Sequence, residues 1–398
     1  MLHASALKSA LKRSFSTKVA PRDVVIVSYA RTPIMPFNGS FASLSGPELG
    51  AIANKAAVER AGLQPNQIQE AYLGNVAIAM ASQSILAGSQ DIMLAGGFES
   101  MSNVPYYLPK ARTGYRLGDG KLVDGVIHDG LWDPYNNQHM GLCGEKCAED
   151  FGFSREDQDA YTIESYNRAI QANERGFFES EITPVSVKQR RGDSLVFTKD
   201  EEPFNTKPEK IPSLRPAFKK DGTVTAANAT PLNDGAAALV IMSGEKAQEL
   251  GLTPLARIRG FADAAQDPVE FTIAPSKAVP LALNHAGLQL SDVDYHEINE
   301  AFSVVALANM RLMNIQHDRI NVNGGAVAIG HPIDLLQIFP QQEALILREL
   351  VRIAHGLHKR LDLRERDVKL EHAQRERAQL AKHNIVDTSH GFFARRET

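Results

Sequence analysis

Cysteine is scarce in this chain, which has 398 residues and only two cysteines, Cys143 and Cys147. Two thiols cannot form a disulfide framework, and their scarcity is typical of proteins from a reducing compartment such as the cytosol or the mitochondrial matrix. No apolar run reaches the length of about eighteen residues that a membrane-spanning helix needs. A net charge of −4 also excludes a general surplus of positive charge, so we expect no nucleic-acid partner.

Acidic residues are missing from the start of the chain, where the first is Asp23. The basic residues before it are Lys8, Lys12, Arg13, Lys18 and Arg22. Leucines and a phenylalanine recur among serines at near-helical spacing, which is the composition of a mitochondrial transit peptide, although a disordered basic tail has similar features. We therefore predict a transit peptide over residues 1–22, a mitochondrial matrix location and a fold that begins near Arg22.

Apolar residues make up 43 % of the chain, enough for a sizeable core in two or three domains. Val24 to Tyr29 predicts a buried strand, and a helix with Pro47 in its first turn and Gly62 at its end follows. Further strands are predicted over 71–76, over 91–97, before Asn299 and near Asn321, and helices over 77–86, from Ser154 to Gly176 and over 275–286. This alternation predicts an α/β fold with two similar halves.

We predict two domains and a tail after the first 22 residues. Residues 23–243 form the predicted first domain, with a charged loop insertion at 186–222, and residues 244–333 form the second. Glycine nearly disappears after Ile333, because residues 334–398 hold only 2 of the 29 glycines. We predict that this charged stretch is a helical or disordered tail, and a partner-binding helix is a further alternative.

Several short motifs along residues 23–333 resemble those of the thiolase family. They are Arg31-Thr32-Pro33, Leu73-Gly74-Asn75-Val76, Gly96-Gly97-Phe98-Glu99-Ser100-Met101-Ser102, Asn233-Asp234-Gly235-Ala236-Ala237, Asn299-Glu300-Ala301-Phe302 and Asn321 to Pro332. A set of motifs in one order is more specific than any single pattern. The resemblance implies a thiolase fold of two similar βαβ-type domains with mixed sheets and central helices, here incomplete in both halves. Family members act on acyl-CoA thioesters and form homo-oligomers.

The resemblance also implies a set of catalytic groups. Asn103 to Tyr106 and His139 to Gly141 resemble the acetoacetyl-CoA branch, which condenses two acetyl-CoA molecules or runs the reverse thiolysis. That reaction needs a cysteine thiolate that accepts the acetyl group, a second cysteine for proton transfer, and donors for the enolate oxygen. The donors match His331 and Asn299, the latter through a held water. Neither Cys143 nor Cys147 lies in a segment that matches the family's cysteine motifs, so we predict a chain without acetyl-transfer activity.

The missing cysteine segments have definite positions. Val76 joins Ala77 directly where relatives carry the nucleophile, and a strand that continues into a helix without turn residues is itself unusual. Asp334 begins unrelated sequence where relatives carry the second cysteine. Two alternatives to an inactive enzyme remain: a non-catalytic CoA-binding or regulatory subunit that pairs with an intact thiolase, and an unstable product of an altered transcript.

Ligand positions are likewise implied by the resemblance. Contacts with coenzyme A or acetyl-CoA correspond to His139, Met140, Tyr166, Lys210, Thr230, Ala301 and Phe302. A potassium ion, held mainly by backbone carbonyl groups, corresponds to Tyr166, Ala226, Ala227, Ala229 and Val327. Without the resemblance, a histidine beside a methionine is more typical of packing, and Lys210 of a solvated surface.

The spacing of His139, Cys143 and Cys147, one residue in every four, also permits a metal-site interpretation. Three ligands on one helix face do not close the tetrahedron that a structural zinc ion requires, and no fourth ligand is evident. We therefore predict that these side chains pack in the interior, where free cysteine is commonly found.

Overall fold

The structure, a computed structural model, describes residues 19–74 and 76–332 and the backbone of two later segments, 384–387 and 392–395. A mixed β-sheet with packed helices confirms the predicted α/β class. In chain order the strands are β1 (Val24–Arg31), β2 (Met35–Pro36), β3 (Glu70–Leu73), β4 (Ile92–Ser100), β5 (Tyr106–Tyr107), β6 (Val123–Asp124), β7 (Trp132–Asp133), β8 (Gln138–His139), β9 (Val185–Val187), β10 (Leu195–Phe197), β11 (Asn233–Ser243), β12 (Ala256–Gly260), β13 (Tyr295–Glu297), β14 (Asn384–Asp387) and β15 (Phe392–Arg395). The α-helices are α1 (Gly46–Arg60), α2 (Ala77–Leu86), α3 (Met140–Phe151), α4 (Arg155–Glu174), α5 (Glu202–Asn205), α6 (Gly244–Glu249), α7 (Pro275–Ala286), α8 (Ser303–Met313) and α9 (Ala326–Ile329).

The main sheet has the strand order β13-β14-β15-β12-β1-β11-β4-β3, and β2 pairs with β11. Strand β1 is antiparallel to both β11 and β12, whereas β3 and β4 are parallel. The predicted domain boundary after residue 243 coincides with the end of β11. Because β12 pairs with β1, the chain beyond this boundary continues the same sheet.

Both faces of the central strands are buried. Every residue of β1 and β11 is buried, which explains their largely apolar sequences. Alternate residues of these strands belong to two core clusters: Val24 and Ile26 pack with residues of α2 and α4, whereas Val25 and Val27 pack with residues of α1. A third cluster, formed by residues of α3, α7 and α8, lies beside the candidate site described below.

The helix ends follow the predicted signals. Ser154 and Asp157 form a reciprocal capping box at the start of α4, with N–H donation to the opposite side chain at 2.9 and 3.1 Å. Pro47 lies in the first turn of α1, and Gly62 beyond its end has a φ of 68°, the left-handed conformation that favours glycine. No helix in the described part of the chain has the length and apolarity to cross a membrane.

The connection between β3 and α2 differs from the prediction. A strand was expected to reach Val76, but β3 ends at Leu73 because Gly74 has a φ of 112° and leaves the extended region. The Ala77 N–H donates to the Gly74 carbonyl at 3.1 Å, so a tight turn separates strand from helix. Asn75 of the Leu73–Val76 motif lies outside the described residues.

The strand predicted near Asn321 is wrong. Asn321 has a φ of 45°, and the adjacent Ile320 forms only an isolated bridge with His296. The Asn321 amide instead bonds to the backbone of Ile298 in both directions, at 2.8 Å each, and so replaces a strand ladder with side-chain contacts. Most of the predicted transit peptide and tail lies outside the described residues, and the described segments of the tail are the strands β14 and β15.

Candidate functional site

Asn299 and His331 meet side chain to side chain. Asn299 follows β13 and His331 follows α9, and the Asn299 Nδ2 atom lies 3.0 Å from His331 Nε2. An amide nitrogen can only donate, so in this arrangement Nε2 accepts and the proton of a neutral ring is on Nδ1. The structure therefore brings together the two groups that the family resemblance assigns to the enolate oxygen, His331 directly and Asn299 through a held water.

A buried carboxylate fixes the loop that carries Asn299. Glu300 is fully buried, and burial raises the pKa of its carboxyl group despite four hydrogen-bond donors. These donors are Tyr161 Oη at 2.7 Å, Ser165 Oγ at 3.0 Å, Asn321 Nδ2 at 2.6 Å and the Val327 N–H at 3.2 Å. Glu300 therefore joins α4, the Asn299 loop and the segment before His331 into one buried network.

Two glycines leave space for this network. A Cβ atom on Gly325 would overlap the Glu300 carboxyl group, and one on Gly324 would overlap the backbone of α4 at Ser165 and Ala169. Gly324 also has a φ of 84°, and the Gly325 N–H donates to Ser165 Oγ at 2.9 Å. The Asn-Gly-Gly motif is thus required by the close approach of the backbone to buried polar groups.

His331 is held from the opposite side by Asn233. The His331 N–H donates to Asn233 Oδ1 at 3.3 Å, and Asn233 Nδ2 donates to Glu202 Oε2 at 3.0 Å and to the Met35 carbonyl at 3.2 Å. Burial raises the pKa of Glu202. Gly330 has a φ of 105°, and a Cβ there would overlap the Asn233 amide. The backbone position of His331 therefore depends on a second buried carboxylate.

A cavity of about 640 Å³ lies against Asn299 and His331, within the size range of small-molecule sites. Seven of the predicted ligand-binding residues also line it: His139, Met140, Ala226, Ala229, Thr230, Ala301 and Phe302. Within the described part of the chain, no Lys, Arg, Asp or Glu is among the lining residues. The cavity suits an uncharged, partly apolar ligand segment.

An aromatic wall contains His139. Its Nδ1 accepts the Gly141 N–H at 3.0 Å, and its ring stacks on Phe218 with centroids 4.8 Å apart. Burial lowers the pKa of His139. Because Nδ1 accepts the Gly141 N–H, a neutral ring carries its proton on Nε2. Phe218 in turn meets Phe302 edge to face at 6.3 Å, and a Cβ on Gly141 would overlap Phe218.

Thr230 connects two walls of the cavity. Its N–H donates to the Ala301 carbonyl at 3.0 Å, and its hydroxyl donates to the Ala326 carbonyl at 2.9 Å. A bridge between Ala229 and Phe302 continues this contact. The loop that precedes β11 is therefore tied to both the Asn299 loop and α9.

Four predicted ligand positions lie away from the cavity. Lys210 is exposed in the short helix Pro208–Ser213, and Tyr166 is buried with its hydroxyl donating to Thr206 at 3.1 Å. Ala227 belongs to the same core cluster as Tyr166, and the Val327 N–H bonds to Glu300 as described above. The potassium site and the Lys210 contact remain predictions.

Both cysteines are buried on α3. Cys143 is 1 % and Cys147 is 4 % exposed, and the Gln138 amide donates to Cys143 Sγ at 3.6 Å. Burial raises the pKa of both thiols, which disfavours the reactive thiolate. Neither cysteine lines the cavity. Among the described residues, no group of three or more His, Cys, Asp or Glu side chains is arranged to hold a metal ion.

The sequence interpretation missed several site residues. Phe218 and Glu202 lie in the charged segment 186–222, for which the sequence predicts only a loop. Met101, Leu232 and Phe271 complete the apolar wall. The sequence around these residues gives no sign of a binding site, although Met101 and Asn233 fall within motifs that carry the family resemblance.

The family models match most of the chain. The N-terminal domain of thiolase matches in two segments, residues 24–81 and 76–245, and the C-terminal domain matches residues 252–336. Acetyl-CoA acetyltransferase 1 of Arabidopsis thaliana is 49 % identical over 352 residues, which cover 79 % of this chain and 85 % of that protein. The mitochondrial acetyl-CoA acetyltransferase of Rattus norvegicus is 45 % identical over 385 residues, covering 87 % and 88 %.

Solved structures agree with the predicted fold. The acetyl-CoA acetyltransferase from Syntrophomonas wolfei superposes with a TM-score of 0.78 at 33 % identity, covering 94 % of this chain and 99 % of that one. The Acat5 thiolase from Ascaris suum in complex with coenzyme A superposes with a TM-score of 0.77 at 36 % identity, covering 94 % and 100 %. The expected thiolase fold is confirmed, and the chain belongs to the thiolase family.

Proposed function

We propose that this chain binds acetyl-CoA, or a similar short acyl-CoA thioester, in the cavity beside His331 and Asn299 without transferring the acetyl group. It is then an acetyl-CoA C-acetyltransferase by descent that lacks a nucleophile. One observation carries the proposal: the Asn299–His331 pair borders an uncharged cavity that no described cysteine lines.

The cavity wall supports thioester binding. A pantetheine arm and its thioester are uncharged, and they match a wall of aromatic, apolar and hydroxyl groups that, among the described residues, contains no Lys, Arg, Asp or Glu. His139 offers an Nε2–H donor beside Phe218. The relative from Ascaris suum was solved in complex with coenzyme A, which is consistent with this ligand class.

The thiols do not supply an alternative nucleophile. Acyl transfer between thioesters requires a thiolate, and burial raises the pKa of both cysteine thiols, which disfavours that form. Neither cysteine lines the cavity. The two matches to the N-terminal family model overlap at residues 76–81. This overlap supports a shortened segment at the junction where relatives carry the nucleophile.

Asn299 and His331 determine what the remaining site can do. The Asn299 amide donates to His331 Nε2. A bound thioester oxygen would compete for the Asn299 donor, and the imidazole proton would then have to lie on Nε2 for both groups to hold that oxygen. The pair can polarise a thioester carbonyl, but it contains no group that forms an acyl-enzyme.

Two finer assignments belong to the same proposal. The relative from Rattus norvegicus is a mitochondrial protein, which supports the matrix location proposed for this chain from residues 1–22. We also propose a potassium ion among the carbonyl groups of the Ala226–Ala229 turn, near Tyr166 and Val327. Carbonyl oxygens suit such a hard cation.

Calorimetry and an activity assay on the full chain test the proposal together. We expect coenzyme A and acetyl-CoA to bind, and we expect Thr230→Val and Phe218→Leu to weaken binding more than the matched change Phe204→Leu, because Phe204 is 50 % exposed and outside the cavity. We expect the rate of acetoacetyl-CoA thiolysis to be no higher than the background rate measured in buffer without protein. No binding would refute the ligand assignment, and enzyme-like turnover would refute the loss of activity.

Mass spectrometry gives an independent measurement of the missing nucleophile. After incubation with acetyl-CoA, we expect no acetyl group on Cys143 or Cys147, and the variant Cys143→Ala/Cys147→Ala should bind acetyl-CoA as tightly as the unmodified chain. A stoichiometric acetyl-thioester that free coenzyme A removes would overturn this part. Co-purification with an intact thiolase would favour the alternative of a regulatory subunit.

A further inference from the structure

Asn299 and His331 present two side-chain nitrogen atoms to one uncharged cavity. Asn299 Nδ2 lies 3.0 Å from His331 Nε2, and both residues line the cavity of about 640 Å³. With the imidazole proton on Nε2, both nitrogens donate, so one oxygen can accept from the two together. We propose that the chain decarboxylates a thioester that carries a carboxylate on its α-carbon, with malonyl-CoA as the simplest example. This inference rests on the proposed function, because the substrate is a coenzyme A thioester in the same cavity.

The two donors are fixed by buried contacts that do not involve a ligand. Glu300, the residue after Asn299, accepts hydrogen bonds from four groups. The His331 N–H donates to Asn233 Oδ1 at 3.3 Å. Donors that are already in position stabilise a developing oxyanion strongly, because they need not reorganise during the reaction. The pair therefore suits an enolate oxygen, whose negative charge develops only as the reaction proceeds.

The enolate of a thioester forms in one of two ways. Either a base removes a proton from the α-carbon, or a carboxylate on that carbon leaves as carbon dioxide. Among the described residues that line the cavity, there is no Asp, Glu or Cys to act as the base. His139 Nδ1 already accepts the Gly141 N–H at 3.0 Å, and His331 Nε2 is needed as a donor. Loss of carbon dioxide is the route that remains, since it requires neither a base nor a nucleophile.

The reaction balances with one proton from water. The bond between the α-carbon and the carboxyl carbon breaks, and its electron pair forms the double bond of the enolate. The carbonyl electron pair moves onto the oxygen that Asn299 and His331 hold. Carbon dioxide leaves, and the proton then binds to the α-carbon. Malonyl-CoA and one proton therefore give acetyl-CoA and carbon dioxide, and the thioester bond stays intact.

The charge of the cavity wall favours this reaction. In the described part of the chain no Lys or Arg lines the cavity, so the substrate carboxylate has no cationic partner there. An unpaired carboxylate is costly to remove from water. During the reaction the negative charge moves from the carboxylate to the oxygen beside the two donors, and the departing carbon dioxide is neutral. The wall therefore stabilises the transition state more than the bound substrate, which is the condition for catalysis.

Malonyl-CoA labelled in its carboxyl group tests the reaction on the full chain. We expect labelled carbon dioxide and acetyl-CoA to form at equal rates, both above the rate in buffer. Malonate and free coenzyme A would show that the thioester bond breaks instead, and would overturn the proposal. Calorimetric titration of the same preparation with acetyl-CoA tests the proposed function separately. Binding without decarboxylation would overturn the present inference alone, whereas the absence of both would overturn the two together.

Variants of the two donors test their role. Asn299→Asp keeps the shape of the side chain but replaces its donor with a negative charge, so we expect decarboxylation to fall by at least about 100-fold. His331→Ala should cause a similar loss. The control is His285→Ala, because His285 is exposed and its Nδ1 bonds to the Phe261 carbonyl at 2.8 Å, outside the cavity. We expect this control to keep the full rate.

Binding separates a loss of catalysis from a loss of the site. Acetyl-CoA affinity should fall much less than decarboxylation in Asn299→Asp and His331→Ala, because most of the cavity wall is unchanged in both. Circular dichroism identifies a variant that has not folded, in which case the other variant decides. Full activity in a folded Asn299→Asp or His331→Ala chain would trace the carbon dioxide to another source and overturn the proposal.

Discussion

The backbone of Gly325 passes so close to the carboxyl group of Glu300 that a single added methyl group would overlap it. The same carboxyl group accepts the Val327 N–H, two residues further along the chain. The geometry of the segment before His331 is therefore set by a residue adjacent to Asn299, and the two halves of the pair are structurally coupled.

A first prediction concerns Gly325→Ala. Overpacking against a buried carboxylate should lower the free energy of unfolding by about 1–3 kcal/mol. The control is Gly62→Ala, because Gly62 also needs a special conformation, with a φ of 68°, but has open space around it and should cost only about 1 kcal/mol. Denaturant unfolding measures both values. Equal losses in the two variants would contradict the role of Glu300.

A second prediction concerns the pH dependence of stability at Glu202. Burial raises its pKa above 4.5, so the folded state holds a proton that the unfolded state has released at pH values just above 4.5. Stability should therefore fall as pH rises from 4.5 through the folded pKa. Glu202→Gln removes this titration, so its unfolding free energy should depend less on pH over that range. If the unfolding free energies of the wild-type chain and of Glu202→Gln depend on pH in the same way, the raised pKa of Glu202 is contradicted.

A third prediction concerns the stack of Phe218 on His139. Phe218→Leu removes an aromatic contact worth about 0.5–1.5 kcal/mol, which corresponds to a roughly 2- to 12-fold loss of affinity for coenzyme A. It should also expose the imidazole to water and raise the pKa of His139 towards its ordinary value, because burial is what lowers it. NMR titration of labelled histidine follows that pKa. An unchanged pKa would mean that Phe218 does not shield the ring.

A fourth prediction concerns the ion pairs of Arg31. Its guanidinium contacts Asp200 at 2.6 Å and Glu181 at 2.5 Å, with all three side chains at most 5 % exposed. Asp200→Asn should cost about 3–5 kcal/mol, because it removes one partner of a buried charge. The exposed pair of Lys55 and Glu59 is the control, and Glu59→Gln should cost at most about 0.5 kcal/mol. Thermal and denaturant unfolding measure the loss of stability in Asp200→Asn and in Glu59→Gln. Similar losses in the two variants would contradict the larger contribution of the buried ion pair.

Local sequence patterns predicted part of the fold well. Helix α2 was predicted over 77–86 and α7 over 275–286, and both have those limits in the structure. Each helix is marked by a local signal, which is either an apolar periodicity or a proline at the start with a glycine at the end. Such signals can be found without knowing the contacts with distant residues. The strand near Asn321 was wrong because the Asn321 side chain bonds to Ile298, 23 positions earlier, and no local pattern contains that information.

The candidate site could be predicted only in part. Motifs identified Asn299 and His331, but the groups that position them come from distant parts of the chain. Tyr161 and Glu300 are 139 positions apart, and the fold alone brings them within hydrogen-bond distance. Glu202 and Phe218 belong to a segment without periodicity or motif, so their burial against Asn233 and His139 could be found only from the structure.

The position of β1 has a consequence for biosynthesis. Val24–Arg31 is among the first parts of the fold to leave the ribosome, yet its partners β11 and β12 begin at residues 233 and 256. At about 5–20 residues per second, this apolar strand waits many seconds for its neighbours. The order of the strands therefore leaves β1 without its partners during synthesis, and a chain that stalls before residue 233 would expose the apolar side chains and both backbone edges of this strand.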